Sequence, residues 1–194
     1  MNYLAHTFLS FTEEQIVGNL IEDFVKNSER LDYPEEIQKG IILHRAIDNF
    51  TDMHPEISKA KKVFQPEVRL YSGVFVDIAM DYFLANDEKI KSKYEWKKHS
   101  EMVYKALWKY KMWLPKRFEK ILPKMESDDW LYNYREDWAM ELSLNSIKKR
   151  AKYLENNADV FTIFLENKNQ LQQHYEVFFP DLWGFTNNLA AELD

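Results

Sequence analysis

Hydrophobic residues recur three and four positions apart along almost the whole 194-residue chain, which is the spacing of one face of an α-helix. Thr12, followed three residues later by Gln15, is a capping box that typically begins a helix. Only four glycines and six prolines are present, which leaves little material for tight β-turns. The pattern therefore predicts one all-α domain over residues 1–194, a bundle of roughly seven to nine helices.

The predicted helix boundaries follow from prolines and capping residues. Pro34 suits the first turn of a helix, and the residue before Pro55 is disfavoured within one, so a break is expected at His54. Pro115 and Pro123 are expected to interrupt the lysine-rich segment that begins at Asp87. The other predicted helices span residues 12–25, 34–51, 55–64, 67–84, 127–150 and 157–174, before a turn at 178–183 into a short final helix.

Two of these helices share an unusual pattern. In each, a glycine and two potential metal ligands are spaced four residues apart: Gly40, His44 and Asp48, and Gly73, Asp77 and Asp81. Side chains at this spacing lie on one face of a helix. Because a glycine inside a helix costs about 1 kcal/mol relative to alanine, we interpret the two glycines as space for a ligand beside the polar pair.

His6 and Asp23 are further candidate ligands, each among apolar neighbours. A buried, unpaired carboxylate is costly, so several acids on inward-facing positions need a compensating cation, and a divalent metal supplies it. Structural alternatives stand beside this interpretation. His6 could be a hydrogen-bonded histidine, Asp23 a helix cap or lysine partner, His44 a surface residue, and Asp48 part of a solvated stripe.

The composition restricts the chemistry of any such site. The absence of cysteine excludes disulfides, thiol nucleophiles and thiolate metal sites, so the ligands must be His and carboxylates, which favours Mn, Mg, Fe or Zn. A site of this kind suggests hydrolysis of a phosphoester, with Arg45 or Arg69 contacting the phosphate. The sequence contains neither a glycine-rich phosphate loop nor a G-x-S-x-G nucleophile motif.

The formal net charge of −6 argues against broad nucleic-acid binding. We expect no membrane insertion, because no signal peptide and no run of about 18 apolar residues is evident. A cytoplasmic location is expected and is compatible with the lack of cysteine. The lysines between residues 89 and 120 form either a solvated helix surface or a docking face for an acidic partner.

Four segments together resemble the acyl carrier protein phosphodiesterases, also called ACP hydrolases. These segments are MNYLAH at 1–6, GNLIEDF at 18–24, GIILHRAIDNFTD at 40–52 with HP at 54–55, and YSGVFVDIAMDYFL at 71–84. Their order and spacing agree with that family over the first half of the chain. The second half is similar mainly in its length and its helical, aromatic-rich character.

The resemblance implies a helical fold related to the His-Asp metal phosphohydrolases. It also implies hydrolysis of 4′-phosphopantetheine from the serine of holo-acyl carrier protein, which leaves the apo form, with Mn²⁺ as the typical metal and Mg²⁺, Fe²⁺ or Zn²⁺ as alternatives. By position, the implied metal ligands are His6, Asp23, His44 and Asp77, and the implied catalytic residues are Asp48, Arg45 and Asp81. No adjacent His-Asp pair occurs, which leaves open which of Asp48, Asp77 and Asp81 bind metal.

Because carrier proteins are acidic, Lys97, Lys98 and Lys105 are candidate docking residues. Nearby tryptophans could serve as apolar anchors or simply pack in the core. Two alternative functions remain open. One is a metal phosphohydrolase acting on a small phosphoester or nucleotide, and the other is a non-catalytic helical interaction module on the same scaffold.

Overall fold

A computed structural model describes residues 1–152, 154 and 159–193, and all regular elements within these ranges are helical. The α-helices are α1 (Tyr3–Phe8), α2 (Glu13–Ile21), α3 (Glu35–Met53), α4 (Pro55–Val68), α5 (Ser72–Asn86), α6 (Glu88–Lys91), α7 (Trp96–Lys109), α8 (Lys116–Ser127), α9 (Trp130–Asn133), α10 (Asp137–Arg150), α11 (Val160–Glu166) and α12 (Lys168–Leu193). Short 3-10 helices cover Glu22–Phe24, Asn27–Asp32, Arg69–Tyr71 and Lys111–Trp113.

The prediction of an all-α protein is confirmed for the described residues. Their twelve α-helices exceed the expected seven to nine, because α1, α6 and α9 have only four to six residues each and are too short to show a helical period. The predicted helix start at Pro34 and the predicted break at His54 are confirmed, since α3 begins immediately after Pro34 and His54 separates α3 from α4.

Two prolines do not act as the sequence predicts. Pro123 lies inside α8 and Pro180 lies inside α12, so the expected interruption and the expected turn at 178–183 are both absent from the described structure. A proline within a helix costs about 3 kcal/mol. Burial of neighbouring side chains offsets this cost, since Leu122 and Phe179, the residues immediately before the two prolines, are buried.

Other helix boundaries also differ from the prediction. The helix expected from residue 67 begins only at Ser72, because Arg69 adopts a positive φ of 50° that ends α4. The helix expected over 127–150 begins only at Asp137, since α8 continues to Ser127 and Asp129 is left-handed. The helix expected over 157–174 starts outside the described residues and is divided at Asn167.

Helices α2 and α3 approach each other closely at two glycines. A β-carbon on Gly18 would lie 2.0 Å from the carbonyl oxygen of Ile37, and one on Gly40 would lie 2.3 Å from the carbonyl oxygen of Gln15. Gly40 therefore makes room for the backbone of α2, and the interpretation of this glycine as space for a ligand is wrong. A β-carbon on Gly73 would approach only the end of the Lys61 side chain, at 3.4 Å.

Helix α5 lies at the centre of the bundle, packed against α1, α4, α10 and α12. The carboxylate of Asp81, which is fully buried in α5, accepts hydrogen bonds from the backbone N–H groups of Asn2, Leu4 and Ala5 at 3.0, 2.7 and 3.3 Å. These are the free N–H groups at the start of α1, which otherwise have no partner within their own helix. Asp81 thereby fixes the position of α1 on α5.

A second contact joins α1 to α7. Thr7 Oγ1 lies 2.9 Å from His99 Nε2, and the hydroxyl of Tyr94 lies 2.6 Å from His99 Nδ1. Burial lowers the pKa of His99 to about 4, so the imidazole is neutral near pH 7. None of the helices in the described ranges is long and apolar enough to cross a bilayer.

We expect Gly40→Ala to lower the free energy of unfolding by about 2–3 kcal/mol, because the new methyl group overlaps the backbone of α2. Gly184→Ala is the matched control. That glycine is exposed in α12 with no atom within 4 Å of an added β-carbon, so the same change should stabilise the protein by about 0.5–1 kcal/mol. Urea unfolding of both variants measures the two effects, and equal shifts would contradict the close approach of α2 and α3.

The stability contributed by His99 should depend on pH. Its folded-state pKa lies below the unfolded value of about 6.5, so the unfolded chain binds the proton first as the pH falls. Relative to His99→Gln, the wild-type protein should therefore lose about 1 kcal/mol of unfolding free energy per pH unit between about pH 6.5 and 4. Urea unfolding at several pH values checks this, and parallel curves for the two proteins would argue that His99 is exposed.

Candidate metal centre

His6, His44 and Asp48 converge where α1 meets α3. The two imidazole rings stack with centroids 4.0 Å apart and an interplanar angle of 11°. His6 Nε2 lies 3.3 Å from Asp48 Oδ1, and His44 Nε2 lies 3.2 Å from Asp48 Oδ2. One potential ligand atom from each of the three residues falls within 4.8 Å of the others. This arrangement could hold a metal ion.

The local sequence accounts for this convergence. His44 and Asp48 are one turn apart on α3 and therefore share a face. His6 reaches the same point from α1, whose position is set by Asp81. Both histidines are buried, whereas the Asp48 side chain retains 46% of its exposure. The group is thus open on the Asp48 side, from which an ion or a substrate can enter.

Asn19 of α2 orients His44. Its carbonyl oxygen lies 2.7 Å from His44 Nδ1, and its side-chain Oδ1 lies 3.1 Å from the same nitrogen. A carbonyl oxygen can only accept, so Nδ1 carries the hydrogen, and Nε2 is the atom available to a metal. The Asn19 amide also donates to the carbonyl oxygen of His6 at 2.9 Å, so one fully buried side chain contacts both histidine segments.

Two further acids lie near the other ring nitrogen of His44, Nε2. Glu22 Oε2 lies 3.7 Å and Asp23 Oδ1 lies 4.0 Å from His44 Nε2. The other oxygen of Glu22, Oε1, accepts a hydrogen bond of 2.5 Å from Arg45 Nε. A second possible metal-binding group consists of Glu22, Asp23 and His44, whose ligand atoms also lie within 4.8 Å of one another. Asn19 and Glu22 were not predicted as site residues, although both lie within the segment GNLIEDF.

The charges at the site explain the pKa shifts. Burial and the charge of His44 lower the pKa of His6 to about 4, although Asp48 raises it. Burial also opposes a charge on His44, but the hydrogen bond and charge of Asp48, with the charges of Asp23 and Glu22, raise its pKa above the ordinary value. Burial would raise the pKa of Asp48, but its hydrogen bonds to His44 and His6 hold it well below its usual range.

The donor set suits a divalent cation. The Nε2 atom of His44 faces three carboxylates, so it must either carry a proton or share a cation with them. A bound metal would replace that proton. His6 Nδ1 is buried with no hydrogen-bond partner in the described part of the chain. Imidazole and carboxylate ligands together fit Mn, Fe or Zn, and carboxylates alone would fit Mg.

Asp77 and Asp81 occupy different environments although both were predicted for the site. Asp77 Oδ1 lies 2.9 Å from the ammonium group of Met1, and among the described residues Asp77 is in neither group of converging ligand atoms. Burial raises the pKa of Asp77, and the Met1 ammonium opposes the shift. The oxygens of Asp81 accept hydrogen bonds from the backbone of α1, and among the described residues Asp81 is also in neither group of converging ligand atoms.

A cavity of about 220 Å³ contains the site and is lined by His6, Asp23, His44, Asp48 and Asp77 among others. Asp52 also lines it and pairs with Lys61 at 2.7 Å. Arg69 and the three lysines predicted for docking are not among its lining residues. On α7, Lys97 pairs with Asp129 at 2.6 Å and Lys98 with Glu95 at 2.8 Å. Lys105 is exposed on the same helix.

The fold and the site thus define an all-helical protein with a histidine- and carboxylate-lined candidate metal centre. Residues 1–182 match the family model described as acyl carrier protein phosphodiesterase. A protein of that name from Enterobacter sp. (strain 638) is 31% identical over 202 residues, with 99% of this chain and 97% of the relative covered. The chain therefore belongs to the acyl carrier protein phosphodiesterase family.

Other relatives give the same result at lower identity. The acyl carrier protein phosphodiesterase of Klebsiella pneumoniae subsp. pneumoniae is 29% identical and covers 97% of this chain and 98% of its own. The protein of the same name from Salmonella agona is 27% identical, with coverage of 99% and 97%. No solved structure shows a significant match.

His44→Gln and Asp48→Asn should each weaken Mn²⁺ binding by about 100-fold or more, because each removes a converging ligand atom. Asp77→Asn should have a smaller effect. Titration calorimetry measures the affinities, and circular dichroism checks that each variant remains helical.

His54→Asn is the matched control for these variants. His54 lies outside the site and caps α4, and asparagine retains a capping side chain, so Mn²⁺ affinity should not change. If His44→Gln and His54→Asn bound Mn²⁺ equally well, the placement of the metal at His44 would be refuted.

Proposed function

We propose that this chain is a metal-dependent phosphodiesterase that hydrolyses 4′-phosphopantetheine from the serine of holo-acyl carrier protein and leaves the apo form. We further propose that residues 1–194 act as one hydrolase domain in the cytoplasm, with a fold related to the His-Asp metal phosphohydrolases. Membership in a family whose relatives are named for this substrate supports the proposal. The converging His6, His44 and Asp48 carry it, because they offer metal ligands at an open cavity.

We propose Mn²⁺ as the metal, with Mg²⁺, Fe²⁺ or Zn²⁺ as alternatives. A divalent ion at such a site polarises a phosphoryl oxygen and lowers the pKa of water. Asn19 holds the His44 ring with Nε2 facing the acids. Asp48 remains ionised next to two imidazoles and supplies the negative charge that attracts the cation.

The other predicted residues receive distinct proposed roles. Asp23 is more exposed than Asp48, with 67% of its side chain accessible compared with 46%. We propose Asp23 as a ligand on the substrate side. Arg45 is proposed to contact the phosphate next to Glu22, where a guanidinium can offset charge developing on the phosphoryl oxygens. Asp77 is proposed as a second carboxylate for the cation, and Asp81 as a positioning residue that acts through α1.

Docking of the acidic carrier protein on α7 is also part of the proposal. Lys105 is the strongest candidate, because Lys97 and Lys98 already pair with acidic neighbours. Exposed ion pairs are weak, so an acidic partner can compete for both of these lysines. Electrostatic attraction of this kind would mainly increase the rate of association.

Incubation with holo-acyl carrier protein and Mn²⁺, followed by intact mass measurement, tests the proposed function. We expect the carrier to lose the mass of its phosphopantetheine group in the presence of the wild-type protein. Asp48→Asn should abolish this loss, and His54→Asn should retain it.

The alternative functions predict different results. An intact holo-carrier with any of the four metals, but turnover of a small phosphoester, would favour the small-molecule phosphohydrolase. No metal affinity and no turnover would favour the non-catalytic module. Hydrolysis by Asp48→Asn at the wild-type rate would remove Asp48 from the site.

A further inference from the structure

A second, larger cavity adjoins the metal site. It measures about 890 Å³, within the range of roughly 300–1,000 Å³ that is usual for small-molecule sites. We call it the α8–α10 groove, because most of its lining residues lie on or between these helices, from Arg117 to Arg150. Asn2 and Tyr3 line both this groove and the metal-site cavity. A ligand bound at the metal could therefore extend into the groove past these two residues.

The walls of the groove are mainly apolar. Phe24, Ile121 and Trp130 line it, together with Trp138 and Leu142. Trp138 and Leu142 lie one turn apart on α10, and their side chains are 53% and 62% exposed. Large apolar side chains exposed within a concave surface are typical of a ligand site.

Polar side chains are interspersed with the apolar ones. Ser143, Asn145 and Ser146 of α10 line the groove, and their side chains make no hydrogen bond within the described ranges. These hydroxyl and amide groups can both donate and accept. The groove thus offers apolar contact together with hydrogen bonds suited to amide groups, and does not resemble a purely hydrophobic pocket.

The junction between the two cavities carries both signs of charge. Burial raises the pKa of the Tyr3 hydroxyl, the charge of Asp23 raises it further, and the charge of Arg150 lowers it. Tyr3 lines both cavities, whereas Asp23 lines the metal-site cavity and Arg150 lines the groove. Arg117 and Lys149 also line the groove. A ligand with an anionic group at the junction and an uncharged remainder would fit this distribution.

We propose that the α8–α10 groove binds the 4′-phosphopantetheine arm of the substrate. The phosphate would lie at the metal site, where that cavity meets the groove at Asn2 and Tyr3, and the arm would extend past these two residues into the groove. Its dimethyl and methylene groups would pack against Trp138 and Leu142, and its two amides would bond to the polar side chains of α10. This inference rests on the proposed function and adds the location of the arm.

Titration with 4′-phosphopantetheine and with inorganic phosphate, both in the presence of Mn²⁺, tests the groove separately from turnover. The wild-type protein should bind 4′-phosphopantetheine at least about tenfold more tightly than phosphate. Ser146→Trp places an indole in the groove from an exposed position and should remove this advantage. Ser58→Trp, an exposed serine on α4 outside both cavities, should retain it.

A second pair of variants tests the groove even if Ser146→Trp fails to fold. Leu142→Ser should reduce the preference for 4′-phosphopantetheine about threefold or more, whereas Leu70→Ser, at a leucine that is 98% exposed elsewhere, should not. With holo-carrier protein as the substrate, Ser146→Trp should raise KM much more than it lowers kcat.

The outcomes separate the two proposals. If the wild-type protein shows no preference for 4′-phosphopantetheine over phosphate, or if Ser146→Trp keeps that preference, the groove assignment is overturned even when the carrier is hydrolysed. If the preference and its loss are observed but the carrier stays intact, the groove assignment stands and the proposed reaction fails.

Discussion

The candidate site depends on one buried carboxylate. Helix α1 has only six residues, too few to be stable alone in water, yet it must place His6 against His44. Asp81 holds its first turn through three backbone N–H groups. Burial raises the pKa of Asp81 to about 7, while the Met1 ammonium and those N–H groups act in the opposite direction. The anchor is therefore sensitive to any change that removes its charge, and the metal ligands are coupled to the same carboxylate.

The balance of charge around His44 is a second constraint on the candidate site. His44 Nε2 faces Asp48, Glu22 and Asp23 within 4.0 Å, while Asn19 fixes the hydrogen on the opposite nitrogen. Without a metal, a proton on His44 must balance these acids, and this requirement raises the pKa of the imidazole. The arrangement favours a cation whether or not a substrate is bound. The phosphate of a substrate would then find positive charge already in place.

The sequence predicted the helical class and the face shared by His44 and Asp48, because both follow from spacing along one helix. It could not assign Asp77 and Asp81, which have the same spacing. Their partners, an ammonium group and the backbone of α1, come from a segment more than seventy residues away. Asn19 and Glu22 were missed because their contact with His44 depends on how α2 packs on α3. Pro123 and Pro180 show that burial can override a local helix-breaking preference.

The glycine contacts between α2 and α3 have a consequence for the mutational tolerance of this protein. Where two helices meet through their main chains, their separation does not depend on the size of any side chain. The distance from Asn19 to His44 therefore depends little on substitutions elsewhere in the core. These two helices therefore offer a fixed frame for redesigning the rest of the bundle.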